Sequence, residues 1–349
     1  MVKMWDVVIV GGGVIGLSLA VELRRSGLNV MVLEKHQPGR EASWAAGGML
    51  ADREAGSKPL FRALAKASAA MYPEFVHRLR DESGVQVELR EQGTIRFLDD
   101  DHLPDPIGDP LTPEELGRLE PEVTYSAPAV FLPERCVDPR ELTEALLATA
   151  KHLGVDISSG SEVTNIEVQQ GSAVAAATTK SRYPANVIVN CAGAWAGQVG
   201  PVKVPAVPVK GQMLAVTPSP VKHVVRGNGV YLIPRGTGRL VIGATLEDAG
   251  FDKRVDPDTI QQMHQAAAIL APKIGQAKIL EDWAGLRPGT PDKLPIMGAT
   301  NFANYFVATG HYRDGILLAP ITARLMSQII RGEKVEYDLS DLSPARFGC

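Results

Sequence analysis

The chain has 349 residues, a length that exceeds one ordinary hydrophobic core and predicts two domains. Its hydrophobic share of 45% is that of a globular protein. Lys and Arg total 36 against 40 for Asp and Glu, so no basic excess is available for a phosphate backbone, and nucleic acid is excluded as an expected partner. The 3 cysteines form no Cys-x-x-Cys pair, so we expect neither a disulfide framework nor a structural zinc site. We therefore expect the protein to work in a reducing, cytoplasmic setting.

An apolar run near the start of the chain, Val7 to Val21, lies where the core of a secretory signal would lie. It contains four glycines, is shorter than a membrane span and continues into the charged residues Glu22 and Arg24. We therefore expect a soluble, cytoplasmic protein with no membrane partner.

The first elements are a strand, a glycine turn, a helix and a second strand. Residues 5–10 form a β-branched run typical of a buried parallel strand. Ile15, Leu19 and Leu23 recur every four residues and so share one face of a helix, and residues 29–33 supply the next strand. The pattern predicts a βαβ unit.

Later segments alternate between helical and β-rich character. Asp138, with Pro139 after it and Glu141 three residues on, predicts the start of a helix, and Thr112 begins a shorter one in the same way. Residues 187–191 form another buried-strand run. Residues 86–98 and 204–245 read as alternating strands, with a hairpin signal at 235–238, so we expect domains that interleave along the chain.

The strongest local motif is the glycine turn at residues 11–16, Gly-Gly-Gly-Val-Ile-Gly, with Glu34 at the end of the following strand. Gly11 permits the tight turn, Gly13 lets the backbone approach a pyrophosphate, and Gly16 lets helix and strand pack closely. The helix N-terminus favours phosphate, and Glu34 can accept from ribose hydroxyls. This predicts a dinucleotide site; Glu34 disfavours NADP, but the motif does not choose between NAD and FAD.

Three further motifs are more specific, at residues 39–51 (GREASWAAGGMLA), 283–298 (WAGLRPGTPDKLPIMG) and 310–320 (GHYRDGILLAP). In this order they resemble the FAD-dependent D-amino acid oxidase superfamily and, within it, the glycine oxidases of thiamine biosynthesis (ThiO type). The resemblance covers essentially the whole chain.

The resemblance implies an α/β fold in which a Rossmann-like FAD-binding domain is interleaved with a mixed-sheet α+β substrate domain. The expected FAD-binding segments are residues 1–80, 138–204 and 280–349, and the expected substrate segments are 81–137 and 205–279. FAD should be non-covalent, because residues 283–298 lack the cysteine that carries covalent flavin in sarcosine-type oxidases. The family also implies a homo-oligomer, a dimer or a tetramer.

The residues expected to bind FAD lie in the glycine turn, the loop along the flavin ring, two strand-end turns and the loop before the last apolar run. Val163 could equally be a plain strand core residue, and Cys191 is expected to be a small buried side chain. The set is Gly11, Gly13, Val14, Ile15, Gly16, Glu34, Lys35, Ser43, Ala45, Ala46, Gly47, Gly48, Met49, Val163, Cys191, Ala192, Gly193, Trp195, Arg287, His311, Arg313, Asp314, Gly315 and Ile316.

On the substrate side, the resemblance implies that Arg287 pairs with a carboxylate and that Tyr231 adds a hydroxyl hydrogen bond. A guanidinium suits this role because its planar fork matches a carboxylate and keeps its charge. Arg313 either lies at the opening of the active site or contacts the substrate. The alternative is that it is a solvated charge on a loop. Leu246 is expected to form an apolar wall of the pocket, and Gly229 to leave open space beside Tyr231.

The remaining titratable groups indicate little further chemistry. We expect His311 to be neutral and hydrogen-bonded to backbone rather than a general base. The other histidines have no ligand spacing, so no metal is expected. The apolar run 316–320 reads as the start of a helix whose first turn holds Pro320.

These features predict oxidation of glycine, sarcosine or small D-amino acids by hydride transfer to FAD. Oxygen is the expected acceptor, giving hydrogen peroxide, an imine or 2-oxo acid, and ammonia, with a role in thiazole synthesis. The alternative within the fold is a D-amino acid dehydrogenase that passes electrons to a quinone or another acceptor. An NAD-dependent dehydrogenase or a non-catalytic flavin module would leave the later motifs unexplained.

Overall fold

The computed structural model describes residues 3–52, 58–99 and 108–349. Within these ranges the α-helices are α1 Val14–Arg25, α2 Ala42–Ala45, α3 Pro59–Ser83, α4 Pro113–Leu119, α5 Pro139–His152, α6 Pro257–Leu270 and α7 Gly315–Ile330. The strands are β1 Trp5–Val10, β2 Val30–Glu34, β3 Met49–Leu50, β4 Leu89–Arg90, β5 Thr94–Phe97, β6 Asp109–Leu111, β7 Ala129–Leu132, β8 Arg135–Val137, β9 Asp156–Ser159, β10 Val163–Gln169, β11 Ser172–Thr178, β12 Arg182–Asn190, β13 Val207–Thr217, β14 Val224–Gly227, β15 Val230–Pro234, β16 Leu240–Gly243, β17 Lys278–Gly289, β18 Ile296–Ala299 and β19 Tyr305–Thr309.

The first sheet carries the glycine turn. Its order is β10-β11-β12-β1-β2-β9, and β19 pairs with both β12 and β18. The strands β12, β1, β2 and β9 are parallel, so their carboxyl ends lie along one edge. One hydrophobic core, which includes Leu17, Leu64, Leu142 and Leu318, packs α1, α3, α5 and α7 against this sheet. The predicted βαβ unit is present, and its glycine turn lies at the carboxyl edge of the sheet.

The second sheet runs in the order β17-β13-β16-β15-β14-β5-β7-β6 and packs against α6 through a separate core that includes Ile260 and Met263. A small sheet, β3-β8-β4, joins residues 49–50 to the substrate-side segments. The predicted fold class, a Rossmann-like unit interleaved with a mixed-sheet unit, is confirmed. One boundary differs: β17 pairs along β13, so residues 280–289 belong to the second sheet. We propose the interleaved domain division with β17 moved accordingly.

Local sequence signals set several of these bounds. Asp138 caps α5 by accepting from the backbone N–H of Arg140 at 2.8 Å and of Glu141 at 3.3 Å. Thr112 and Glu115 form a reciprocal capping box at α4. The hairpin signal at 235–238 forms the turn between β15 and β16, where Gly238 N donates to Arg235 O at 3.0 Å.

The expectation for Pro320 was wrong, because α7 begins at Gly315 and Pro320 lies inside it. Proline has no N–H, so the helical acceptor four residues earlier, Ile316 O, loses its partner. The hydroxyl of the buried Tyr72 on α3 donates to Ile316 O instead. A distant tyrosine therefore satisfies the carbonyl that the proline leaves unpaired.

Candidate active site

A cavity of about 410 Å³ lies between the two large sheets and is lined from both. Residues of the glycine turn, the loop 41–49, the turn after β12 and the start of α7 form one side. Residues of β13, β15 and β17 form the other. This volume is within the usual range for cofactor and small-molecule sites.

The glycines of the turn have two distinct roles. Gly11 has φ +105°, and a Cβ there would lie 2.5 Å from Cys191 O. A Cβ at Gly16 would lie 2.0 Å from Gly11 O, so Gly16 allows the turn and α1 to pack and does not itself line the cavity. Gly13 lines the cavity at the N-terminus of α1, where a side chain would stand between the helix and a bound anion.

The carboxylate of Glu34 is fixed at the end of β2. Its Oε2 accepts from Gly12 N at 2.8 Å, and its Oε1 accepts from His36 N at 2.9 Å. Glu34 is buried yet lines the cavity, and each oxygen has a further lone pair for a hydroxyl donor. The two oxygens are therefore held where they can accept from a hydroxyl of a ligand in the cavity.

The loop 43–49 is drawn tightly against both units. Val14 N, in the first turn of α1, donates to Ser43 Oγ at 2.9 Å, and Trp283 Nε1 donates to Ala45 O at 3.1 Å. A Cβ at Gly285 would lie 2.5 Å from Ala45 Cβ. Small residues on both sides thus let this loop run close to β17 along the cavity wall.

The cavity as a whole suits an extended dinucleotide. Val163 and Lys35 line it at the carboxyl edge of the first sheet, and Tyr231 and Arg287 line it from the second sheet. The N-termini of α1 and α7 both open onto it, which favours the pyrophosphate and other partial negative charge. Glu34 supplies a ribose acceptor, so the residues present fit FAD.

Arg287 occupies the substrate side, on β17. Its Nη1 donates to Lys210 O at 3.3 Å and to Thr245 O at 3.0 Å. Gly211 on β13 lies against the guanidinium, and a Cβ there would lie 2.3 Å from Nη1. Two backbone carbonyls and one glycine thus set the position of the cation that lines the cavity.

Tyr231 on β15 lies beside that cation. Burial raises the pKa of its hydroxyl, and the positive charges of Arg287 and Arg313 oppose this rise. The hydroxyl forms a hydrogen bond with the Arg287 side chain and lies 3.8 Å from Met213 Sδ, and a Cβ at Gly243 would lie 2.7 Å from the ring. The phenol stays protonated at neutral pH and can donate to a bound anion.

The loop before α7 brings His311, Arg313 and Gly315 to the cavity. His311 is buried, burial lowers its pKa to about 3, and its Nε2 lies 3.0 Å from Thr322 Oγ1. It is therefore neutral, but its partner is a side-chain hydroxyl rather than backbone. Burial raises the pKa of Asp314 to about 6, and this residue is the N-cap of α7.

The structure brings most of the predicted residues to one surface. The predicted residues that line the cavity are Gly11, Gly13, Val14, Ile15, Glu34, Lys35, Ser43, Ala45, Ala46, Gly47, Gly48, Met49, Val163, Cys191, Ala192, Gly193, Trp195, Tyr231, Arg287, His311, Arg313, Gly315 and Ile316.

Four predicted residues lie outside the lining: Gly16, Asp314, Leu246 and Gly229. Leu246 is 64% exposed, because it faces out of the segment that follows β16. Gly229 has φ +73° with open space around its Cβ position, and it serves the tight turn between β14 and β15. Leu246 therefore forms no wall of the pocket, whereas the open space expected at Gly229 is present at the turn between β14 and β15.

Some lining residues were not singled out by the sequence. Gly211 and Met213 lie inside the long strand β13 and carry no local signal, and the pairing of β13 with β17 brings them to the cavity. Tyr312 lines it with φ 49°, a left-handed conformation that is uncommon outside glycine.

The segment after β16 also reaches the rim of the cavity. Phe251 stacks on Trp195 with ring centroids 5.4 Å apart. The ammonium of Lys253 donates to both carboxylate oxygens of Glu41, at 3.0 and 2.9 Å. Trp195 and Glu41 both line the cavity, so this segment of the second unit contacts the first unit beside the cavity.

No helix in the described parts of the chain is both long and apolar enough to cross a bilayer. Residues 3–52, 58–99 and 108–349 contain no group of three or more His, Cys, Asp or Glu side chains able to hold a metal ion. Cys191 is buried, and burial raises the pKa of its thiol, so it lines the cavity as a neutral side chain.

The parallel sheet, the glycine turn and the fixed Glu34 define a dinucleotide-binding protein. Residues 6–329 match the family model described as FAD dependent oxidoreductase (DAO), and the chain belongs to this family. Its cofactor is therefore FAD.

Several relatives within this family are similar to the chain over nearly its whole length. The chain is 34% identical to the glycine oxidase of Geobacillus kaustophilus, over 99% of this chain and 98% of the relative. The crystal structure of glycine oxidase from Geobacillus kaustophilus superimposes with a TM-score of 0.91 at 32% identity, covering 97% of this chain and 98% of the other. The chain is 36% identical, over 98% of its length, to the bifunctional protein ThiO/ThiG of Trichormus variabilis, but spans only 55% of that relative.

Proposed function

We propose that the protein oxidises glycine or a related small amine, such as sarcosine or a small D-amino acid, with FAD as cofactor and oxygen as acceptor. The observation that carries this proposal is that Arg287 and Tyr231 line the same cavity as the glycine turn and Glu34. An anion receptor thus lies beside a dinucleotide site. The relatives named glycine oxidase support the same substrate class.

In this proposal Arg287 binds the substrate carboxylate. Its Nη1 is held by Lys210 O and Thr245 O, so the fork enters the complex already oriented. The hydroxyl of Tyr231 donates to the same carboxylate, because its raised pKa keeps the proton on the oxygen. Fixing the carboxylate at two points orients the α-carbon and the amine.

No side chain is needed to remove a proton from the α-carbon. His311 is neutral, and its Nε2 already has Thr322 Oγ1 as a partner. When bound, FAD would supply a two-electron acceptor for the hydride of the α-carbon, with oxygen as the final acceptor, reduced to hydrogen peroxide. The imine product feeds thiazole synthesis or takes up water to give a 2-oxo acid and ammonia, or methylamine where sarcosine is the substrate.

The ThiO/ThiG relative supports a role in thiamine biosynthesis, and a homo-oligomer is part of the proposal. The substrate and these partners remain part of the proposal, because the chain spans about half of that relative.

An oxygen-uptake screen of the holoenzyme with glycine, sarcosine and D-alanine tests the proposal. Arg287→Ala should raise the KM for the amine by at least ten-fold while the bound FAD stays in place. Arg182→Ala is the matched control, because Arg182 pairs with Glu167 and neither residue lines the cavity. Turnover with an artificial acceptor but no oxygen uptake would favour a dehydrogenase instead.

A further inference from the structure

Arg235, directly after β15, is a buried cation that the proposed reaction does not use. It is 6% exposed and lies outside the cavity lining. Its Nη2 donates to Gly47 O at 2.7 Å and its Nη1 to Val137 O at 3.2 Å. Its Nη1 is also 3.4 Å from Cys136 Sγ, and its Nε is 3.4 Å from Asp138 Oδ2.

The shortest of these contacts is with the loop along the cavity. Gly47 lines the cavity, and a Cβ there would lie 2.7 Å from Ile233 Cδ1 and 3.5 Å from Tyr231 Cε2. Residues 231, 233 and 235 alternate along one strand and its end, so all three reach the same loop residue. The side chains of Tyr231, Ile233 and Arg235, on one face of β15 and its end, thus all lie against Gly47.

The next loop residue is held from the same side. Val137 N donates to Gly48 O at 2.9 Å, and a Cβ at Gly48 would lie 2.0 Å from Val137 O. Val137 O in turn accepts from Arg235 Nη1. The carbonyl of Gly48 is therefore hydrogen-bonded directly to β8, and the carbonyl of Gly47 is linked to β8 through the guanidinium of Arg235.

Only arginine meets this set of acceptors. Its planar fork reaches Gly47 O and Val137 O from adjacent nitrogens, whereas a lysine ammonium is a single point charge. A buried cation is costly unless its hydrogen bonds are satisfied, and Asp138 offsets the charge. The loop carbonyls are thus fixed by the same bonds that make burial of Arg235 tolerable.

We propose that Arg235 is a positioning residue for FAD: it touches neither cofactor nor substrate, but holds the backbone of Gly47 and Gly48 in the conformation that binds the cofactor. The inference rests on the placement of FAD in this cavity within the proposed function. It does not depend on which amine is oxidised.

The test compares FAD binding by three single variants. Arg235→Lys keeps the charge but loses the fork. Asp138→Asn removes the ion pair while its Oδ1 can still cap α5 and the bonds to the loop remain. Arg90→Lys changes a nearby arginine that donates to Glu88 and to Lys222 O rather than to the loop. For each, the Kd of FAD, the visible flavin spectrum at saturation and the melting temperature of the apoprotein are measured.

Arg235→Lys should raise the Kd of FAD about ten-fold or more and shift the visible flavin spectrum. Asp138→Asn and Arg90→Lys should keep the Kd of FAD and the visible flavin spectrum near those of the wild type, even where they lower the melting temperature. A wild-type Kd and spectrum for Arg235→Lys would overturn the proposal, as would an equal rise in Kd for Asp138→Asn.

If Arg235→Lys does not fold, the double variant Arg235→Gln, Asp138→Asn removes both charges together. Its Kd should exceed that of Asp138→Asn about ten-fold, and equal values would contradict the role. The titrations contain no amine, so a failure of the proposed amine oxidation leaves their result intact. Wild-type protein that binds no FAD would instead remove the proposed function itself.

Discussion

Gly211 lies directly against the guanidinium of Arg287, and a Cβ at position 211 would lie 2.3 to 2.5 Å from Nη1, Nη2 and Cζ. Gly211→Ala should therefore push the fork out of place and raise the KM for the amine about ten-fold, with the Kd of FAD unchanged. Steady-state kinetics and FAD titration check this. Gly275→Ala is the matched control, because its Cβ would meet only Ala268 Cβ at 3.6 Å. An unchanged KM for Gly211→Ala would mean that Arg287 does not depend on this contact.

The hydroxyl of Tyr231 is in contact with the Arg287 side chain and, weakly, with Met213 Sδ, and in the proposed function it donates to the substrate carboxylate beside Arg287. Tyr231→Phe should cost little stability but raise the KM for the amine about ten-fold, the loss of one hydrogen bond to a charged group. Kinetics beside a thermal melt separate the two effects. A large fall in melting temperature with the KM unchanged would assign the hydroxyl a structural role.

Tyr72 and Pro320 are coupled through Ile316 O. Tyr72→Phe should lower the free energy of unfolding by about 1–3 kcal/mol, because it leaves a buried carbonyl unpaired. Pro320→Ala restores an N–H at the helical position, so Tyr72→Phe should cost less in that background. Denaturant unfolding of the four proteins measures the coupling. Equal costs in both backgrounds would show that the hydroxyl does not replace the missing helical bond.

His311 makes stability depend on pH. An unfolded histidine takes up a proton below about pH 6.5, whereas burial keeps His311 neutral down to about pH 3. Between these values the unfolded state binds the extra proton, so the free energy of unfolding falls as the pH falls, by about 1.4 kcal/mol per unit.

His311→Gln removes this titration and can keep the contact with Thr322 Oγ1. Between pH 7 and pH 5 the wild type should lose about 2 kcal/mol more than the variant in denaturant unfolding. Asp314, whose raised pKa acts in the opposite direction over part of this range, is common to both proteins. Parallel pH profiles would contradict a neutral His311.

Much of the site could be predicted from sequence because it depends on local signals. The turn at Gly11 to Gly16 lies between a predicted strand and a predicted helix. The loop that contains Gly47 lies in one recognisable motif, and Arg287 lies in another. Gly211 and Arg235 could not be found in this way. Their roles arise only when β13 pairs with β17 and when β15 meets β8 across the cavity loop, and such contacts leave no periodic pattern.

Leu246 shows the opposite case. The resemblance to the family implies a place for it in the wall of the pocket, but its side chain is 64% exposed. An apolar residue type at a family position does not fix the direction of its side chain, whereas Tyr231 is placed by the alternation of β15.

The central claim is that the cavity holds a small amine against bound FAD, with its carboxylate on Arg287. The most direct measurement is the visible absorbance of the FAD-loaded protein after glycine is added without oxygen. We predict that glycine, sarcosine or a small D-amino acid bleaches the flavin band, and that Arg287→Ala shifts this bleaching to much higher amine concentrations. A flavin that dithionite bleaches but none of these amines does would contradict the account.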